Sequence, residues 1–402
     1  MTPPADPTAD KALALLREAP LIDGHNDLLW ELRNRVRYDF DRIDVSSPQP
    51  DLMTDLPRLR AGGVGGQFWS VYVPSDLPGH EAVTATLEQL DAMHAMVARY
   101  PDALALARSA DDVERIAAGG RVASMAGIEG GHSIGCSLGA LRMLAALGAA
   151  YMTLTHNDTT PWADSATDEP VHGGLTRFGE EVVREMNRLG ILVDLSHVSV
   201  DTMRHAIEVG EAPAIFSHSS ARALCDVPRN VPDDVLERVG RTGGVVMVTF
   251  VPGFVAPEGA ALGAAAMEER RRLTGTHPGD RTAAAAAMEA WWERQAEPPA
   301  TVAQVADHVD HIRAVAGVEH IGIGSDFDGT RSMPAGLEDV ARYPALFAEL
   351  LARGYEQDDL RKIAGRNVLR VMREAERTAG RLRAERPPST ATIEGLDGSH
   401  GA

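Results

Sequence analysis

Six apolar segments of this chain each run into a histidine, an aspartate or a glutamate. They are Leu21-Ile-Asp-Gly-His25 with Asp27 two residues on, Met125-Ala-Gly-Ile-Glu129, Tyr151-Met-Thr-Leu-Thr-His156, Ile191-Leu-Val-Asp-Leu-Ser-His197, Ala214-Ile-Phe-Ser-His218 and Ile321-Gly-Ile-Gly-Ser-Asp326. Short runs rich in Val, Ile and Leu have the character of buried strands. In a parallel β/α barrel the C-terminal ends of all strands meet at one mouth, so polar residues at the tips converge. In extended backbone, residues i and i+2 share a face. His25 and Asp27 can therefore hold one metal ion while Asn26 points away.

Strand-like runs near residues 21, 68, 123, 152, 192, 214, 245 and 321 are separated mostly by helical patterns. Such alternation implies right-handed parallel crossovers. The expectation is an α/β fold, a single TIM (β/α)8 barrel over 20–380. An N-terminal segment and helix (1–19) precede it, with a Pro-rich, mobile start, and a loose tail rich in Pro, Ser, Thr and Gly (381–402) follows. Apolar spacing predicts helices over 81–100, 111–118, 138–147, 178–189, 200–209 and 231–239. The polar passage 31–50 is expected as an active-site loop. The stretch 251–300, rich in Ala, Glu and Arg and holding Trp291 and Trp292, is too long for a loop and reads as inserted helices outside the barrel mouth, with cover packing expected ahead of a lid role. Gly62 to Gly66 contains four glycines but precedes a strand, whereas phosphate-binding glycines follow one, so a tight turn is expected.

The 402 residues carry a formal charge of -19, which argues against sequence-independent nucleic-acid binding. Two cysteines, Cys136 and Cys225, make no disulfide framework and suit a reducing compartment. The N-terminus lacks a basic start followed by an apolar core, and no apolar run reaches the ~18 residues a membrane span needs. A soluble, cytoplasmic protein without membrane partners is expected.

His25, Asp27, Glu129, His197 and His218 offer imidazole and carboxylate donors suited to zinc. They exceed what one tetrahedral ion with an open position needs. Two ions ~3.5–4 Å apart, sharing a bridging carboxylate and a bridging hydroxide, would use all of them. Glu129 is the natural bridge, because Gly130 and Gly131 let the backbone approach closely. Two dications less two carboxylates leave the site positive, which lowers the pKa of a bound water. Asp326, at the strand end, is the candidate proton shuttle, with Asp328 as its rival. His156 is surplus to the metal set and could polarise a carbonyl or stabilise an oxyanion; the alternative is a tip histidine bonded to Asp158. Arg229 could clamp a substrate carboxylate, although on chemistry alone a surface ion pair is the plainer expectation.

These residues lie in ordered motifs from residue 22 to 329: Ile-Asp-Gly-His-Asn-Asp, Gly-Ile-Glu-Gly-Gly-His, Leu-Thr-His-Asn with Thr160-Pro-Trp-Ala-Asp164, Asp194-Leu-Ser-His, Ser217-His-Ser-Ser-Ala-Arg, Arg229-Asn-Val-Pro-Asp-Asp and Gly-Ser-Asp-Phe-Asp-Gly. With them the chain resembles the membrane (renal) dipeptidase family, peptidase family M19, a branch of the amidohydrolase superfamily. The resemblance implies a TIM barrel with two zinc ions per chain. It implies that His25 and Asp27 hold one ion, His197 and His218 the other, and Glu129 bridges. It makes His156 and Arg229 substrate contacts, the latter on the C-terminal carboxylate of a free dipeptide, and Asp326 the catalytic acid/base. Tolerance of a D-residue at the C-terminal position, β-lactam hydrolysis as a side activity and a homodimer are further implications. The resemblance implies secreted, lipid-anchored, disulfide-linked animal members, from which this chain is expected to depart, since it shows no matching cysteine set and is read as without signal or anchor. Lactone or cyclic-amide hydrolysis is the alternative within enzymes, and an inactive metal-binding scaffold the alternative outside them. A deaminase should show His-x-His on the first strand, where this chain has His-x-Asp.

Overall fold

The computed structural model describes residues 7–296 and 300–398. The expected mobile start falls mainly on residues 1–6, outside the described residues. Nine parallel strands form one sheet: β1 (Leu21–Asn26), β2 (Val64–Tyr72), β3 (Leu104–Leu106), β4 (Val122–Glu129), β5 (Ala149–Thr153), β6 (Leu192–Asp194), β7 (Ile215–Phe216), β8 (Val245–Val248) and β9 (Ile321–Ile323). The order β2-β1-β9-β8-β7-β6-β5-β4 closes through β2–β4 pairing, so eight strands make the barrel. The expected (β/α)8 architecture is present. Strand β3 is an addition. It pairs with β4 at Val122 to Ser124, below the stretch Ala126 to Ile128 that pairs with β5. Three residues give too little alternation for a strand signal.

Barrel strands are buried on both faces, which is why they read as continuous apolar runs. Helices cover the outside wherever apolar residues recur at helical spacing: Gly79–Arg99, Ala110–Ala118, Leu138–Leu147, Arg177–Leu189, Val200–Val209 and Asp233–Thr242. Ser109, Ser137, Thr176 and Ser199 each accept a backbone N–H at the start of one of these helices, fixing where it begins.

Three stretches differ from expectation. The passage 31–50 is not all loop, because a helix spans Leu28–Val36. Leu28, Leu29, Leu32 and Val36 make one buried stripe, and the Arg, Glu and Asn between them hid it. Past Gly380 the chain is not loose: a helix runs Asn367–Glu385, and a short one, Ile393–Asp397, follows. Asp397 accepts the backbone N–H of Phe178 at 3.2 Å, and Ser389 O accepts from Arg142 at 3.0 Å, so partners distant in sequence fasten this segment. Residues 399–402 of that expected tail lie outside the described residues. The insertion is helical, as expected, in Pro252–Val255, Pro257–Thr276 and Arg281–Trp292. Only Gly259, Ala266 and Leu273 of its long helix are buried.

One buried histidine ties these parts together. His308 accepts the Ala221 N–H at Nδ1 (3.0 Å), and its Nε2 bonds Val255 O (3.1 Å), joining the helix Val302–Val315 to the loop before Arg229 and to the start of the insertion. Burial pushes His308 down to about 4. The native protein thus keeps it neutral where the unfolded chain takes up a proton. Its stabilising contribution is full above pH ~6.5 and is lost as pH falls from there toward 4. Between pH 7 and 5 the wild type is expected to lose about 2 kcal/mol more unfolding free energy than His308→Gln, by denaturant titration at each pH.

Candidate active site

Strand β1 delivers His25, and Asp27 follows directly after it. Its neighbour β9 is zipped to it beyond the ladder, Asp27 N–H donating to Phe327 O (2.9 Å) and Asp326 N–H to His25 O (3.2 Å). Asp326 is thereby fixed beside His25 and Asp27. Asp27 stands at the N-cap of Leu28–Val36 but its carboxylate caps nothing there. It lies instead 3.2 Å from His25 Nε2. Glu129 ends β4; His156, His197 and His218 follow β5, β6 and β7 by two or three residues.

All the expected tip residues meet. Glu129 Oε2 is 3.4 Å from His25 Nε2, while Oε1 is 3.1 Å from His197 Nε2 and 3.6 Å from His218 Nε2. The two carboxylate oxygens thus face two different histidine sets, the disposition of a bridge. Three overlapping groups, His25–Glu129–His218, Glu129–His156–His197 and His25–Asp27–Asp326, each bring their ligand atoms within 4.8 Å of one another.

Residues that sequence reasoning missed set the tautomers. Tyr151 donates to Gly24 O (3.1 Å), so at 2.8 Å it accepts from His25 Nδ1–H, and the Nε2 lone pair is left facing the centre. That Nε2 is buried without a hydrogen-bond partner. Ser217 donates to Asp194 (2.7 Å) and at 2.8 Å accepts from His218 Nδ1–H, which again leaves Nε2 bare. The His218 and His197 Nε2 atoms stand 2.9 Å apart. Such an arrangement of converging ring nitrogens and buried carboxylates fits divalent cations, and the hydrogen-bonded hydroxyls behind His25 and His218 are the usual support for a metal ligand, whereas His197 Nδ1 is buried without one. Burial holds His156, His197 and His218 well below the ordinary imidazole range, as neutral donors. It also pushes Asp326 well above the carboxylate range, with Asp27 and Glu129 adding to the effect.

The backbone is built to this site. His197 (φ 68°), Asp326 (φ 68°) and Asp328 (φ 64°) occupy the left-handed region, which costs a non-glycine residue of order 1 kcal/mol and is typical of functional positions. A Cβ on Gly127 would meet the Tyr151 ring at 2.1 Å, and one on Gly131 would meet Leu154 O at 2.4 Å. A Cβ on Gly329 would sit 2.2 Å from Asp326 Oδ1 and 2.3 Å from Asp27 Oδ2. Gly329→Ala is therefore expected to fold but to lower turnover roughly a hundredfold, the usual cost of displacing reactive groups by about an ångström. Thermal melting and turnover of the purified variant check both halves.

Asp328, the rival shuttle, is turned away: its Oδ1 accepts the Met53 N–H at 2.7 Å, whereas Asp326 lines the mouth. His156 is not bonded to Asp158, whose partner is Ser75. Its Nε2 is 3.7 Å from Glu129, and its ring stacks with Tyr72 (4.8 Å) and His197 (4.3 Å). Arg229 is not a surface residue. Only 3 % exposed, it donates to His218 O (3.2 Å) and Ser219 Oγ (3.3 Å), lies over the Phe254 ring, and is pushed down to about 10 by burial. Its Nε has no partner, and no carboxylate pairs with it among the described residues. A cavity of about 1050 Å³ opens above, between Trp30, Tyr72 and the insertion helices.

A closed parallel barrel whose strand tips gather histidines and carboxylates around one pocket defines the class of metal-dependent barrel hydrolases. The chain belongs, more narrowly, to the membrane dipeptidase family (peptidase family M19), whose profile matches residues 9–386. By family it is a dipeptidase, a metallopeptidase acting on peptide bonds. It is 41 % identical over 394 residues to human dipeptidase 3, covering 96 % of this chain and 72 % of that protein. It is 40 % identical over 389 residues to dipeptidase verJ of Clonostachys rogersoniana, covering 94 % and 90 %. Among solved structures it resembles the probable dipeptidase PvdM from Pseudomonas aeruginosa (TM-score 0.79, 25 % identity, 92 % of this chain and 99 % of that one). It also resembles a metallo peptidase from Rhodobacter sphaeroides liganded with a phosphinate mimic of the dipeptide L-Ala-D-Ala (TM-score 0.72, 25 % identity, 89 % and 99 %). No helix among the described residues is long and apolar enough to cross a membrane.

Proposed function

We propose that the protein hydrolyses free dipeptides with two zinc ions and accepts a D-residue at the C-terminal position. The observation that carries this reading is the buried Arg229 guanidinium, which has no carboxylate partner among the described residues and lines the cavity together with Glu129. A buried cation of this kind calls for an anion from outside, and the C-terminal carboxylate of a dipeptide supplies one. The L-Ala-D-Ala mimic held by the Rhodobacter sphaeroides relative supports the D-residue part.

His25 and Asp27 would hold one zinc ion and His197 and His218 the other, with Glu129 between them. Bound there, the ions supply a water activated for attack near neutral pH and a Lewis-acid hold on the scissile carbonyl. The chain's own residues do the rest. Arg229 fixes the carboxylate, and with it the register of the peptide bond. His156, which lines the same cavity, offers a ring N–H to the carbonyl oxygen as negative charge develops. Asp326 takes a proton from the attacking water and passes it to the departing amine. Trp30 and Tyr72, ring centroids 4.8 Å apart, wall the cavity against solvent. Cys136 and Cys225 are both free thiols, which suits the cytoplasm as the place of action.

The test is amino-acid release from paired L–L and L–D dipeptides and from their C-terminal amides, with zinc-loaded protein. Release from the free dipeptides, and little from the amides, is the expected result. No release from any dipeptide would overturn the reading, and equal release from the amides would remove Arg229 from it.

A further inference from the structure

The cavity holds a second cation that the mechanism leaves unused. Arg270 lines it from the insertion helix Pro257–Thr276, in a wall shared with Tyr72 and His156. The neighbouring arginines are engaged: Arg271 donates to Thr167 O (2.8 Å), Arg272 pairs with Glu269 (2.7 Å), and Arg331 forks onto Glu289 (2.6 and 2.8 Å). Arg270 makes no ion pair among the described residues. Two acids on the rim do not serve it. Asp168 accepts the N–H groups of Thr159 (2.8 Å) and Glu169 (2.9 Å) within its own loop, and Glu268 faces solvent.

A dipeptide has one C-terminal carboxylate, and Arg229 on the floor accounts for it. The cavity, at about 1050 Å³, is far roomier than a small dipeptide requires, and its lining carries a cation that has no ion-pair partner among the described residues. We infer that Arg270 is a specificity residue that reads an acidic side chain on the substrate, so that Asp- and Glu-containing dipeptides are favoured over their Asn and Gln counterparts. The inference rests on the dipeptidase reading and deepens it. A charge-assisted pair in a partly desolvated mouth is worth about tenfold in discrimination, and salt weakens it.

The experiment compares kcat/KM for Ala-Asp against Ala-Asn and for Asp-Ala against Asn-Ala, each in L–L and L–D form, with Ala-Ala as reference. The proteins are wild type, Arg270→Gln, Arg270→Glu and Arg272→Gln. At one of the two positions the acid-to-amide ratio is expected to be about ten in the wild type, about one in Arg270→Gln and below one in Arg270→Glu, with Arg272→Gln like the wild type. Cleavage of Ala-Ala with the same ratios in wild type and Arg270→Gln at both positions would overturn the inference alone. Failure to cleave Ala-Ala as well would overturn the dipeptidase reading beneath it.

Discussion

Asp326→Asn is expected to cut kcat roughly a thousandfold, within the range that a positioned proton carrier supplies. Three features carry that expectation. Asp326 is held to β1 by its N–H bond to His25 O, its carboxylate shares a group with His25 and Asp27, and it lines the cavity. Asparagine keeps the shape but cannot take up or release the proton. Zinc content and KM should therefore stay within about threefold of the wild type, so that the loss falls on the chemical step. Asp328→Asn is the control. Its carboxylate serves the Met53 N–H, which an amide oxygen also accepts, and most of the turnover should survive. A silent Asp328→Asn beside an active Asp326→Asn would exchange their roles.

Arg229→Met has the other large effect. Loss of a buried charge pair with substrate is expected to lower kcat/KM for free dipeptides by roughly a hundredfold to a thousandfold, mostly through KM. C-terminal amides, which never made that pair, should be affected several-fold at most. The same substitution should leave stability unchanged or raise it by about 1 kcal/mol, because a buried guanidinium without a carboxylate partner costs desolvation energy that methionine does not. Kinetics on the free and amidated substrates, with thermal melts of both proteins, separate recognition from folding.

The barrel and its ring of tips were legible because parallel strands, buried on both faces, read as apolar runs and because each run stops at its chemistry. Spacing placed His25 and Asp27 together, and they do meet at 3.2 Å, although β1 ends at Asn26 and Asp27 stands at the N-cap of the next helix. What stayed hidden has physical reasons. Tyr151 and Ser217 set the tautomers of His25 and His218, yet a tyrosine or serine in an apolar strand looks like packing. The one available signal was Asp194, which stands beside Leu and Ser in a buried strand and could only be there to satisfy donors. Arg229 read as a surface residue because its burial comes from Phe254, at the edge of the insertion, and from the loop held by His308. The docked segment past Gly380 was hidden for the same reason. Its partners, Arg142 and Phe178, are distant in sequence and leave no local pattern.

The most direct measurement is dipeptide hydrolysis by metal-free protein as zinc is added back, with bound zinc counted at each step. The expected result is no release without metal and activity that rises to a plateau at two zinc ions per chain, with Glu129→Gln failing to reach it. Release by the metal-free protein, or none at two bound ions, would contradict the assignment of a two-metal dipeptidase.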